Sequence, residues 1–223
     1  MLYLIIALAL AAAVIMVYGA KTRTAPVLQF SGNPDYPQPF GYKCQWMAVK
    51  TENTNEVAKH LNLVNMQPAN WSTGIEGAYE GKFFVSPPVN GWTLVVNSLM
   101  PDITDTTEQN PLKVIVELSR VYGEACYFGT HRVVEYHAWA KALNGEISRA
   151  YSYVGESGET LVNQGALTAE ELEHDLIFTE LEEDELITPY EEDVLLIAKE
   201  WTTDPMMGQT SLELGVGLVG ERE

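Results

Sequence analysis

The chain opens on an unbroken apolar run. Residues 1–20 contain no charged side chain, and about twenty helical residues at 1.5 Å each span about 30 Å, the hydrocarbon thickness of a bilayer. This predicts a transmembrane anchor, with contact to the membrane through residues 2–20. Lys21 and Arg23 follow at once, and the positive-inside rule puts that flank, with the folded domain behind it, in the cytoplasm. The rival reading is a secretory signal cleaved near Val17-Tyr18-Gly19, which would leave the domain outside the cytoplasm; no Lys or Arg precedes the run as a signal's n-region requires.

The pattern then breaks. Segment 21–40 holds Pro26, Pro34, Pro37 and Pro39 with Gly32, which cannot sustain a helix and predicts an extended linker. From 41 to 205 apolar periods of two and of 3.6 residues alternate without a composition break, the signature of a single α+β domain. Residues 206–223 form a Gly-rich tail.

Within the domain, Tyr42–Thr51 has strand composition and Asn53 and Glu56 have capping-box spacing, so a helix is expected to carry Val57, Leu61 and Val64 and to stop before Pro68. Lys82–Ser86 and Trp92–Asn97 flank a Pro-Pro-Val-Asn-Gly spacer and predict a hairpin. Asn110 as cap, Pro111 at the first position and Gly123 at the end frame a second helix, with Leu112, Ile115, Val116 and Ser119 on one face. Asn144-Gly145 between Val133–Ala142 and Ile147–Val154 predicts a type I′ hairpin, with a further strand near Thr160–Asn163. Thr168 and Glu171 form another capping box, and Val194–Trp201 a last helix. The fold class is therefore α+β: a mainly antiparallel sheet, including a meander with an Asn-Gly hairpin, packed by three to four helices.

Charge narrows the function. Thirteen Lys and Arg stand against thirty-one Asp and Glu, a net charge of −18. Such a field repels phosphate backbones and attracts basic partners, which excludes nucleic acid as a target. Cys44 and Cys126 have no CxxC spacing and both fall in strand-like runs, so they are expected as buried free thiols. Gly215-Val216-Gly217-Leu218-Val219-Gly220 matches a dinucleotide-binding string, but only three residues follow it and no helix can hold a pyrophosphate. No motif indicates a cofactor, and Asn70-Trp71-Ser72 is a bare sequon.

The richest candidate chemistry lies between His131 and Trp139. Period-two alternation would put His131, Val133, Glu135, His137 and Trp139 on one strand face, with Glu135 and His137 about 6.5 Å apart and able to converge on one divalent ion. With the Asn-Gly turn setting register, His137 falls opposite Ser152, Trp139 opposite Ala150 and Lys141 opposite Ser148. Large groups facing small ones would leave a pocket, giving His131, Glu135, His137 and Ser152 as candidate catalytic residues and Glu135 and His137 as candidate metal ligands. Tyr136, Tyr151 and Tyr153 would cluster with Arg132 and Arg149 on the opposite face. The competing reading is a satisfied polar layer inside the core.

The densest charge feature runs from Glu170 to Asp193, without one Lys or Arg and with Leu172, Leu176, Ile177, Leu181, Leu186 and Ile187 interleaved. Such a segment packs one apolar side and shows carboxylates to solvent. Glu182, Glu183, Asp184 and Glu185 are its candidate partner-binding residues. Two functions follow as expectations. The first is a membrane-anchored acidic interaction protein that binds a basic protein partner; the second is a metal-dependent or acid/base enzyme using the strand-borne Glu and His residues.

Overall fold

In the computed structural model, which describes residues 28–155, 158–178, 188–208 and 213–222, nine strands form one antiparallel sheet. They are β1 (Cys44–Val49), β2 (Leu63–Asn70), β3 (Phe83–Val85), β4 (Thr93–Asn97), β5 (Glu124–His131), β6 (Tyr136–Leu143), β7 (Glu146–Val154), β8 (Glu159–Gln164) and β9 (Val216–Arg222). Their spatial order is β2-β9-β3-β4-β1-β5-β6-β7-β8. Five helices accompany them: α1 (Thr54–His60), α2 (Trp71–Tyr79), α3 (Pro111–Tyr122), α4 (Ala169–Glu173) and α5 (Glu191–Trp201). The architecture is α+β. No helix among the described residues is long and apolar enough to cross a membrane; residues 1–20, where the anchor is expected, and Glu182, Glu183, Asp184 and Glu185 lie outside the described residues.

Both faces of the sheet are covered. On one, α2 and α5 pack over Trp46, Phe84, Phe128, Trp139 and Tyr151, and on the other α1 and α3 pack over Met47, Val95, Tyr127 and Ala140. A central strand under such cover shows no alternation, which is why all six residues of β1 are buried. Trp46 stacks on Phe128 at 5.3 Å and Trp139 on Tyr151 at 4.7 Å; such pairs contribute about 1 kcal/mol beyond their buried area.

Local signals place most elements. The Asn53 side chain caps α1, Asn110 caps α3 with Pro111 behind it, and Thr168 and Glu171 complete a capping box on α4. Asn144 and Gly145 take φ values of 51° and 90°, as a type I′ turn requires. The stripe of α3 sits slightly round from the expected one, with Val114 and Leu118 joining Ile115 and Ser119 in the core.

Four expectations are corrected. First, α1 ends at His60 and the chain turns through Asn62 at φ 54°, so Val64 and Pro68 belong to β2. A proline is tolerated there because β2 is a sheet edge and Pro68 has no ladder N–H to lose. Second, five helices are present among the described residues where three to four were expected, the additional one being Trp71–Tyr79, which its glycines disguised. A side chain on Gly74 would collide with the Phe84 ring and one on Gly77 would meet Phe30 at 2.8 Å, so close helix-to-sheet approach demands glycine at both.

Third, the Gly-rich tail contains β9, inserted between β2 and β3. A Cβ on Gly217 would strike the carbonyl oxygen of Val85, so this glycine serves strand packing. Fourth, part of the linker is bound to the domain. Phe40 is buried, Asp35 bridges to Gly215, and its carboxylate accepts from the backbone N–H groups of Trp71 at 2.6 Å and Ser72 at 3.0 Å, holding the start of α2.

Candidate functional site

The strand expected over residues 131–139 is two strands. β5 stops at His131, residues 132–135 turn with Glu135 at φ 51°, and β6 starts at Tyr136, which pairs with His131. The turn resets the alternation. His137 and Trp139 face α5, whereas His131 and Tyr136 face the side of α3; Glu135 sits in the exposed turn with its carboxylate against Gly155.

A bulge changes the second register. Ala142 pairs with Ile147, but Lys141 pairs with Arg149, so Ser148 is the extra residue and every pair beyond it shifts by one. His137 is opposite Tyr153 and Trp139 opposite Tyr151, while Ser152 is opposite Ala138 on the other face. Tyrosines stand where small partners were expected to leave a pocket beside His137. Tyr151, Tyr153 and Arg149 thus share the His137 face, and Tyr136 does not. Among the described residues no hydrogen bond or ion pair joins the side chains of Glu135, His137, His131 and Ser152 to one another, and no group of three His, Cys, Asp or Glu able to hold a metal occurs.

What surrounds His137 is a hydrogen-bonded chain. Its Nδ1 lies 3.2 Å from the Thr130 hydroxyl, which lies 3.1 Å from Oε1 of Glu191 at the start of α5. A carboxylate only accepts, so the hydroxyl proton goes to Glu191 and the Thr130 oxygen accepts from Nδ1–H. That assigns the tautomer and leaves Nε2 as the basic nitrogen. Burial pushes the imidazole down to about 4, against the attraction of Glu192, so it is neutral at pH 7. Cys44 adjoins Thr130 on this face, but burial pushes its thiol up to about 12. Cys44 and Cys126 are both free and buried, as expected for inert core thiols.

Further along the same face lies an ion pair sealed from water. Arg149 and Glu171 are 2% and 0% exposed at the side chain, with Nε 2.9 Å from both carboxylate oxygens. Glu171 also accepts from Trp139 Nε1 at 2.9 Å and the Thr168 backbone N–H at 2.8 Å. The guanidinium donates to the carbonyls of Ala150 and Gln164 and to Asn163 Oδ1. Both carboxylate oxygens and the guanidinium Nε and Nη1 are engaged, which is how a buried pair is tolerated.

The side of the sheet facing α3 holds a different polar group. At the end where β1 begins, a cavity of about 320 Å³ is lined by Gln45, Met100, Asp102, His131, Val134, Tyr136 and Val154. Gln45 is 8% exposed, yet its Oε1 has no hydrogen-bond partner among the described residues, and neither has Nδ1 of His131. The floor is rigid. The Tyr136 hydroxyl accepts from the Ile103 backbone N–H at 3.1 Å and lies 3.3 Å from that of Tyr127. A Cβ on Gly129 would meet Tyr127, Tyr136 and Gln45 at 2.8 to 3.2 Å, so glycine lets the three side chains close up. Of this group only His131 is a candidate from the sequence. The signal that could have found the rest is Gln45 itself, a single amide in the otherwise apolar run Cys44–Val49.

The ends of the acidic segment lie on the opposite face. α4 and α5 expose Glu173 and, at Glu192 and Glu200, two further carboxylates, with Asp175 in the connecting turn; Leu176, Val194, Ile197 and Trp201 are buried beneath. Leu172 and Ile177 are exposed, at 56% and 41%, contrary to the expectation that the interleaved apolar residues turn inward. No protein-family model matches the chain, and comparison with curated proteins and with solved structures likewise gave no match.

Proposed function

We propose that this chain is a membrane-tethered binding domain that docks a basic protein partner on its acidic surface. One observation carries the reading: carboxylates far outnumber cations, and six of the eleven Lys and Arg among the described residues are already paired with a neighbouring carboxylate. Lys59 pairs with Glu56, Lys82 with Glu221, Lys113 with Glu108, Arg120 with Glu117, Lys141 with Glu124 and Arg149 with Glu171, and Lys50 lies over the Trp92 ring at 4.4 Å. Carboxylates exceed cations by eighteen over the whole sequence, and such a field favours encounter with a cationic surface.

Exposed Glu173, Asp175, Glu192 and Glu200 gather on α4, α5 and the turn between, beside exposed Leu172 and Ile177. Carboxylates mixed with apolar contacts suit a protein surface better than a lone ion. The sequence between these helices adds Glu182, Glu183, Asp184 and Glu185. Residues 2–20 supply the tether and Lys21 and Arg23 hold the domain on the cytoplasmic side.

The test is capture of partners by the full chain from native membranes at low salt, followed by affinity measurement. Neutralising Glu182, Glu183, Asp184 and Glu185 together should weaken a captured basic partner at least tenfold, and raising salt should weaken it steeply. An unchanged affinity, or a mature chain starting beyond Gly19 by mass spectrometry, would defeat the corresponding half of the proposal.

A further inference from the structure

Six buried side-chain polar atoms lack a hydrogen-bond partner among the described residues, and two of them, on Gln45 and His131, belong to residues that line one cavity together with Asp102. Gln45 is more than nine-tenths buried and its amide oxygen bonds nothing among the described residues; Nδ1 of His131 is sealed and also unbonded. Both belong to one cavity of about 320 Å³. Asp102 is exposed at its edge, where one carboxylate oxygen accepts from the backbone N–H and hydroxyl of Thr104 at 2.7 and 2.6 Å. The other oxygen makes no hydrogen bond among the described residues.

We infer that this cavity receives the guanidinium of an arginine presented by the basic protein partner, an inference that rests on the function proposed above. The lining decides the ligand's charge. It holds a carboxylate and no Lys or Arg, so an anionic group would meet repulsion with nothing to compensate it. The acceptors decide its donors. A half-turn about the terminal torsion of Gln45 exchanges its oxygen and nitrogen and brings the acceptor to the cavity beside Asp102, and a half-turn of the His131 ring, which exchanges Nδ1 with Cδ2, brings its lone pair there in the tautomer that carries its proton on Nε2.

A guanidinium fits this set better than an ammonium. Its planar fork carries five donors, so one group can bridge a carboxylate, an amide oxygen and an imidazole nitrogen, and its face can lie on an aromatic ring. Tyr136 supplies that ring, and Met100, Val134 and Val154 supply walls for the aliphatic stem. Position argues for a protein as the carrier. Thr130 bonds Glu191 at the start of α5 on one face, and the next residue, His131, lines the cavity on the other. A partner folded over this end of the sheet would engage the carboxylates of α5 and the cavity together.

The experiment uses the full chain in detergent and three fluorescent Lys-rich peptides that differ only at a central Arg, Lys or citrulline. Citrulline keeps the shape of arginine and removes its charge. The Arg peptide should bind at least tenfold tighter than the citrulline peptide, with Lys between. Asp102→Asn, Gln45→Met and the cavity-filling Val134→Trp should each erase that preference, whereas Glu76→Gln on α2, which removes one exposed charge elsewhere, should not.

Cooperative melting at temperatures no lower than the parent's will show that the variants are folded. Equal binding of all three peptides would overturn the cavity's role and leave the acidic-surface reading standing. Failure of every peptide to bind would overturn both. Competition by N-acetylarginine amide at the peptide's own concentration would overturn the protein carrier, because the surrounding surface would then contribute nothing.

Discussion

Arg149 and Glu171 on one face of the sheet, and buried Gln45 with half-buried His131 on the other, both bring polar groups into the fold, but their hydrogen bonding differs. The first pair is closed: Glu171 accepts from Arg149, Trp139 and the backbone of Thr168, and the guanidinium reaches two carbonyls and Asn163. In the second group the amide oxygen of Gln45 and Nδ1 of His131 bond nothing among the described residues. Polar groups closed on one another inside a fold serve the fold, whereas polar groups held open beside a cavity cost stability in the free protein and are useful when something arrives.

The sharpest way to break this contrast is at the closed pair. Glu171→Gln keeps the size of the side chain but leaves the Arg149 charge buried and uncompensated, and should destabilise the domain by about 3–5 kcal/mol in urea unfolding. Against a total near 5–15 kcal/mol, that loss places the variant close to unfolding at 37 °C. Arg149→Met combined with Glu171→Gln should recover much of it, because the orphaned charge is gone. A single-variant loss below about 1 kcal/mol would mean that water or another anion reaches Arg149, and the pair could not be described as closed.

His137 gives an intermediate case, paired through Nδ1 to Thr130 and on to Glu191. Burial lowers its folded pKa from the ordinary 6.5 to about 4, so between those values the unfolded chain binds the extra proton. Stability from this residue is therefore intact above pH 6.5 and is lost as pH falls toward 4. At about 1.36 kcal/mol for each pH unit of that window, the loss is on the order of 3 kcal/mol. His137→Asn should flatten the slope of stability against pH across that window relative to the parent chain. Parallel slopes would show that the imidazole is already solvated.

The two regions also differ in how far the residues alone revealed them. Glu171 stood out through its capping-box spacing with Thr168, a local pattern that survives any tertiary arrangement. Asn53, Asn110, Pro111, Gly123 and Asn144-Gly145 were legible for the same reason: each acts within a few residues of itself. The alternation from His131 to Trp139 was misleading because a tight turn at 132–135 resets it and a bulge at Ser148 then shifts the partner strand. One inserted residue exchanges the neighbours of a whole strand. β9 and α2 were hidden by glycines that make sense only once Val85, Phe84 and Phe30 are seen pressing on them. Asp102 could not have been found beside Gln45 and His131, since loop and strands meet only in the folded sheet.

The smallest expected effect is the one that most sharpens the comparison. Gln45→Met replaces the unpartnered amide with an apolar side chain of similar length on a strand whose other residues are already buried. If Gln45 served the fold, this change would cost stability as Glu171→Gln does. If its amide is held open for a ligand, removing an unsatisfied buried polar group should leave stability unchanged or raise it by about 1 kcal/mol, which for a chain of this size moves the melting temperature by about 2–4 °C. The same variant should lose the preference for arginine over citrulline. Stability gained while selectivity is lost would mark Gln45 as a residue kept at the expense of the fold, whereas a clear drop in melting temperature would return it to the scaffold beside Arg149 and Glu171.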